Sequence, residues 1–177
     1  SDNTILKVLT QPDRKSGRGK KINFSEVKEV ALREGIEVLQ PESLKTDEFA
    51  NTLRELSPDL LLVVAYGIIV PQQILEIPKY GCINIHASLL PRWRGASPME
   101  HAILSGDKKS GITFMKMTKG LDEGPIFETH ECSLDADDQL TDLENKLFNL
   151  SKKNLIPFLK TVGEKNKLIN QNDRDAT

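Results

Sequence analysis

Residues 82–98 read CINIHASLLPRWRGASP, and they place an apolar strand, two polar side chains, a proline-bearing loop and a helix start end to end. Successive side chains of an extended strand point to opposite faces, so Ile83 and Ile85 share one face and Asn84 and His86 the other. A lone Asn or His at a strand end is ordinarily a hydrogen-bonded structural residue. Two of them side by side at the mouth of a loop point to a site. After the loop, SPME at 97–100 has the form of a capping box, with proline at the first helical position and Glu100 reaching back to Ser97. A strand that feeds a helix through a loop is the repeating unit of an α/β sheet, whose ligands bind beyond the carboxyl ends of the strands.

Upstream, LLLVVA at 60–65 is an unbroken apolar run of strand length, which predicts a central parallel strand covered on both faces. TILKVL at 4–9 predicts a buried strand near the start of the sequence. Between these lie a helix capped by Ser25, carrying Val27, Val30 and Ala31 and stopped by Gly35, and a short strand at 36–39. A second helix over 46–57 puts Phe49, Leu53 and Leu56 on one stripe and is closed by Pro58. A short helix is expected near 71–76. Residues 10–25, TQPDRKSGRGKKINFS, combine turn residues with Arg14, Lys15, Arg18, Lys20 and Lys21, and predict a long mobile basic loop. Such a run is either a solvated face or a contact for a phosphate backbone, which Gly17 and Gly19 would let the main chain approach closely.

Downstream, GITFMKMT at 111–118 and the segment 125–132 predict strands around the polar turn KGLDEG. Thr141 with Glu144 predicts a capping box opening a long helix with Leu143, Leu147, Leu150, Leu155 and Phe158 on it, kinked or ended by Pro157. The tail GEKNKLINQNDRDAT from 163 has scarcely any apolar periodicity and reads as a polar linker. The expected fold is α/β: a Rossmann-like, mainly parallel twisted sheet flanked by helices.

The 177 residues suit one domain, here 1–162 followed by the linker 163–177, and a net charge of −2 gives no global pull toward nucleic acid or membrane. A cytoplasmic location is the default, for there is no basic-then-apolar leader and no apolar run near spanning length. Cys82 and Cys132 lack metal or redox spacing and read as buried thiols. His101 on a helix and His130 on a strand read as structural or surface residues.

The sequence contains no G-x-S-x-G elbow, no G-x-x-x-x-G-K-[ST] loop, no HExxH and no complete G-x-G-x-x-G after a strand. What remains is an amide donor, Asn84, an imidazole, His86, and a carboxylate, Asp122, in a glycine-flanked turn. If they converge, two donors could hold an oxyanion while the carboxylate orients the imidazole, a layout suited to acyl transfer without a covalent intermediate. Taken alone, an aspartate in LDEG is more often a turn former than a catalyst.

The string NIHASLLPRWRGASP, with Asp122 placed 36 residues after His86, closely resembles the folate-dependent formyltransferases. TQPDRKSGRGKK, AYGIIVP at 65–71 and LLPRWRGASP are similar to those members whose acceptor is initiator methionyl-tRNA. The resemblance implies catalytic roles for Asn84, His86 and Asp122, and a 10-formyltetrahydrofolate co-substrate held by Ser88, Leu89, Leu90 and Pro91 with Tyr66, Gly67 and Ile68. It also implies tRNA contact by the basic segment, Arg18 above all, no metal, and a monomeric full-length protein. Against the family pattern the sequence opens at what resembles the second strand and stops in a linker ahead of a C-terminal β-barrel. Rival readings are a formyltransferase acting on a sugar nucleotide or glycinamide ribonucleotide, and a noncatalytic RNA-binding module. The roles of Arg92, Trp93 and Arg94 stay open between stacking, phosphate contact and packing.

Overall fold

The computed structural model describes residues 3–16, 21–164 and 168–177. The chain divides into two compact units, one of residues 1–58 with 66–77 and the other of residues 59–65 with 78–177.

In the first unit β1 (Val8–Leu9) forms only at the end of the expected TILKVL strand. Strands β2 (Arg14–Ser16) and β3 (Lys21–Asn23) follow, then α1 (Glu26–Arg33), β4 (Val38–Leu39) and α2 (Asp47–Leu56). Strands β1 and β4 pair in parallel, Val8 with Val38 and Leu9 with Leu39, so the two-residue β4 limits the length of β1. Within the stretch expected as one long basic loop, β2 and β3 instead pair antiparallel, with Arg14 opposite Asn23 and Ser16 opposite Lys21. Cross-strand pairing satisfies backbone groups that an open loop would leave to water. Arg18 and Lys20, with Gly17 and Gly19, lie outside the described residues.

Ser25 caps α1 as expected, its Oγ accepting from Lys28 N at 3.2 Å. Gly35 ends that helix at φ +68°, where a residue with a Cβ would be strained. The α1 stripe differs from expectation: Ala31 is buried, but Val27 and Val30 are exposed. Lys28 Nζ turns back to Asp13 and Gln40, each at 2.5 Å, and its hydrogen bond holds the Asp13 carboxyl below its ordinary range. Thr46 caps α2 and Ser57 closes it in the left-handed region at φ +45°, just before Pro58. A single turn, α3 (Gln72–Leu75), completes this unit.

The second unit holds β5 (Leu61–Val63), β6 (Cys82–His86), α4 (Pro98–Leu104), β7 (Lys109–Lys116), β8 (Ile126–Ser133) and α5 (Leu140–Thr161). Its sheet runs β5-β6-β7-β8, with β5 and β6 parallel and the other pairs antiparallel. LLLVVA therefore supplies an edge strand of this sheet, half-buried over 61–63, rather than a central strand covered on both faces. Its ladder is made with β6 on one side. The inner strands are β6 and β7, and Cys82, Ile83, Ile85 and His86 of β6 are all buried.

Ile83 and Ile85 face a core they share with Ile112 and Phe114 of β7, Ala102 of α4, and Leu143, Leu147 and Phe158 of α5. Phe114 and Phe158 stack at 4.4 Å between ring centroids, and Leu143 is fully buried. Three helical expectations are corrected. Ser97 sits at φ +55° and makes no side-chain cap bond, since the left-handed backbone takes its Oγ out of line with the first-turn amides. The cap of α5 is Gln139, two residues ahead of the expected Thr141, because Gln139 N already finds the Asp142 carboxylate at 2.9 Å. The helix also continues through Pro157 to Thr161, so the proline does not end it. Among the described residues no helix is long and apolar enough to cross a membrane.

Candidate active site

Register puts the polar pair on the sheet face opposite the core. Asn84 lies across from Met115 and His86 across from Thr113, so these four side chains share a face. The turn after β7 brings Asp122 to them from another part of the sequence. Asn84 Nδ2 lies 3.4 Å from Asp122 Oδ1, and His86 Nδ1 lies 3.6 Å from Asp122 Oδ2. The three expected catalytic residues thus meet around one carboxylate. Both contacts are longer than a full hydrogen bond, which leaves the amide and the imidazole able to turn toward a polar group placed between them.

The other imidazole nitrogen fixes the tautomer. His86 Nε2 lies 2.8 Å from the carbonyl oxygen of Trp93, which can only accept, so Nε2 carries a hydrogen. Nδ1 then faces the carboxylate, and this approach is favourable only with a proton on one of the two groups. A well-formed bond holds Asp122 Oδ2: Gly95 N donates to it at 2.9 Å. Asp122 itself adopts φ +49°, a region uncommon for a residue with a side chain, so the aspartate turn is set by its surroundings. His86 is buried and the Asp122 side chain is largely so, at 14% exposure, which weakens solvent screening between them.

The SLLP loop is fastened to the same face. Thr113, fully buried on β7, donates from Oγ1 to Ser88 O at 2.7 Å and accepts from Leu90 N at 3.2 Å. Ser88 Oγ donates to Arg92 O at 2.6 Å, and Leu90–Pro91 is a cis peptide bond. Leu90 packs with Met115 and Ile126 in a small apolar cluster. Leu89 and Pro91 are half-buried. A polar hydroxyl inside GITFM, in phase with His86 across the ladder, was a signal for Thr113 that sequence reading passed over.

The three undecided residues have structural partners. Arg92 makes a bidentate pair with Asp107, at 2.9 and 2.7 Å, and lies over the Trp93 ring at 4.1 Å. Trp93 Nε1 donates to Asp107 at 2.8 Å while the indole stacks on His101. Arg92, as the nearest cation, holds the Asp107 carboxyl below its ordinary range. Arg94 reaches the tail, donating to Gln171 and Asp173, both at 2.9 Å. His130 pairs with Glu128 and meets Phe114 edge-on, in keeping with a structural histidine.

Cys82 is buried, and burial pushes its thiol up to about 12, so it supplies no thiolate near neutral pH. Cys132 is half-buried rather than buried. Among the described residues no group of three or more His, Cys, Asp or Glu side chains is placed to hold a metal ion.

The remaining expected contacts belong to the first unit. Tyr66 is half-buried; its hydroxyl is buried with no hydrogen-bond partner among the described residues, and its carbonyl accepts from Gln11 Nε2 at 2.9 Å. Gly67 takes φ +74° and Ile68 is exposed. Arg14 is exposed on β2, and Lys15 and Lys21 sit in the paired strands β2 and β3.

The sequence pattern of the family described as "Formyl transferase" matches residues 1–159. A protein of Caldanaerobacter subterraneus subsp. tengcongensis named "Methionyl-tRNA formyltransferase" is 49% identical over 176 residues, covering 98% of this chain and 57% of that protein. A protein of the same name from Francisella philomiragia is 53% identical over 163 residues, covering 92% and 52%. The chain thus spans about half the length of the curated relatives it matches. The solved phosphoribosylglycinamide formyltransferase of Bacillus halodurans superposes with a TM-score of 0.78 at 22% identity, covering 93% of this chain and 83% of that one. A formyltransferase of Anoxybacillus kamchatkensis, in complex with tetrahydrofolate and a UDP-linked sugar, gives 0.67 at 24% identity, covering 96% and 82%. At these identities the structures speak for the fold alone.

Proposed function

This chain belongs to the formyl transferase family, and from that premise we propose that it forms the catalytic part of an enzyme that moves a formyl group from 10-formyltetrahydrofolate to the amino group of initiator methionyl-tRNA. The observation that carries the reading is the meeting of Asn84, His86 and Asp122 around one carboxylate, two donors and an acid–base partner drawn from β6 and from a turn 36 residues beyond His86. The names and roughly 50% identity of the full-length relatives favour methionyl-tRNA as acceptor over a small amine.

The folate supplies an activated formyl carbon. As the amine nitrogen attacks that carbon, negative charge grows on the formyl oxygen, and Asn84 Nδ2–H and the His86 imidazole are the donors that meet it. Asp122 keeps a proton at His86 Nδ1 and receives the proton that the attacking amine sheds, through water; as the oxyanion collapses, the bond from the formyl carbon to the folate nitrogen breaks and that nitrogen leaves with a proton, giving tetrahydrofolate. The Ser88–Pro91 loop, fixed by Thr113, presents its backbone to the pteridine. Tyr66, Gly67 and Ile68 are assigned folate contacts on the AYGIIVP motif, and Arg14, Lys15, Arg18, Lys20 and Lys21 are assigned to the tRNA acceptor stem. The enzyme acts in the cytoplasm, and residues 163–177 join this catalytic part to a C-terminal domain.

The test is a formyl-transfer assay of the full-length protein with 10-formyltetrahydrofolate, offering methionyl-tRNA, a sugar nucleotide amine or glycinamide ribonucleotide. Transfer to methionyl-tRNA is expected. Preference for either small amine would overturn the acceptor, and tRNA binding without transfer to any of them would leave a noncatalytic RNA-binding module.

A further inference from the structure

The polar tail folds back onto the site. Ile169 exchanges both backbone hydrogen bonds with Ile126 at the start of β8, at 2.8 and 2.9 Å. Two residues on, Gln171 is half-buried, while Asn172 to Asp175 are exposed. Its Nε2 donates to the main-chain carbonyls of Asp122 and of Gly124, both at 2.8 Å, and its Oε1 accepts from Arg94 Nε at 2.9 Å. Thr177 adds two bonds to the same loop: its Oγ1 accepts from Trp93 N at 2.9 Å and its carbonyl from Arg94 N at 3.2 Å.

One side-chain amide therefore joins the two loops that complete the site. The 93–95 loop supplies the Trp93 carbonyl that orients His86 and the Gly95 N–H that holds Asp122. The 121–124 turn supplies Asp122 at φ +49°, a conformation that persists only where the surroundings impose it. Gly124 shows how closely that turn is fitted, since a Cβ there would lie 1.8 Å from the Lys116 carbonyl oxygen. We propose that Gln171 is a positioning residue. By holding the carbonyls of Asp122 and Gly124 and tying them to Arg94, it sets the carboxylate against Asn84 and His86. The proposal rests on the reading of this site as a formyl-transfer centre, and it assigns that site a part carried by the tail.

The test compares Gln171→Ala and Gln171→Glu with wild type in the full-length protein, with Asn172→Ala as a control on the exposed side of the tail. Glutamate keeps the shape and the Arg94 contact but has no N–H to give either carbonyl. Both Gln171 variants should lose about tenfold in kcat, the scale of one or two neutral hydrogen bonds. KM for folate and for methionyl-tRNA should stay within about twofold, because an interaction that serves the transition state alone lowers kcat without weakening substrate binding. Amide hydrogen exchange across residues 119–124 should quicken in both variants and not in the control. Wild-type kcat in Gln171→Glu, or unchanged exchange at 119–124, overturns the positioning role. If wild type transfers no formyl group at all, the functional reading fails, and the exchange measurement still decides whether Gln171 holds the turn.

Discussion

Asn84 and His86 were identifiable as a pair from strand periodicity, but what each does depends on the atom it faces. His86 gives Nε2 to a main-chain carbonyl and turns Nδ1 to Asp122, while the Asn84 amide points at the same carboxylate. Removing one oxyanion donor ordinarily costs about 3 kcal/mol of transition-state stabilisation. Asn84→Ala should therefore lower kcat about 100-fold in single-turnover formyl transfer, and near-normal turnover would remove Asn84 from the mechanism. Asp107 makes a second residue-scale prediction. Its hydrogen bond to Arg92, helped by Trp93, makes the folded carboxyl give up its proton more readily than the ordinary 3.8 of the unfolded chain. The stability it contributes is full above that value and is lost as pH falls through the lower folded one. Urea midpoints taken at about pH 6 and about pH 3 should fall less in Asp107→Asn than in wild type. Equal falls would show that the Arg92 pair carries no such linkage.

Among the elements, β7 bears the most: it pairs with β6 and β8, packs Ile112 and Phe114 into the core, and from its other face fastens the SLLP loop through Thr113. Gly111 lets β8 and that loop come close, for a Cβ there would meet the His130 carbonyl oxygen at 2.2 Å and Leu89 Cδ2 at 2.6 Å. Gly111→Ala should cost about 2 kcal/mol as an overpacked position, seen as a lowered urea midpoint. A stability equal to wild type would mean that β8 yields there without strain. Helix caps illustrate how far local chemistry reaches. Ser25 caps as its sequence suggests, Thr46 is found capping α2 in the same way, and Thr46→Ala should cost about 1 kcal/mol in the same measurement. Ser97 does not cap, because the chain leaves the site loop in a left-handed turn that its own sequence does not announce.

Across the whole molecule, a net charge of −2 hides a local concentration of positive charge along residues 14–21. The β2–β3 pairing sets Arg14, Lys15 and Lys21 in a fixed register, whereas an open loop would spread them over many conformations. Neutralising Arg14, Lys15, Arg18, Lys20 and Lys21 together should flatten the dependence of methionyl-tRNA affinity on salt, by about one unit of log–log slope for each phosphate these side chains neutralise. An unchanged slope would make the segment a solvated face. The apolar run at 60–65 teaches a related lesson. Its composition reports that a strand forms, but position within a sheet depends on which other segments pair with it, and here β5 ends the four-strand order.

The sequence by itself determined the α/β alternation, the α1 cap and the shared face of Asn84 and His86. Each of these depends on residues within a turn or two of one another. Asp122 was legible only as a candidate, because nothing in the sequence shows that its turn comes back against Asn84 and His86. Only the tertiary structure decided that Thr113 anchors the SLLP loop, that Gly95 and Trp93 fix the carboxylate and the imidazole, and that Gln171 spans both loops. Those contacts pair residues far apart in the chain and mostly through main-chain atoms, which carry no side-chain signature. INQN therefore reads as solvated linker until its amide is found on the carbonyls of the Asp122 turn.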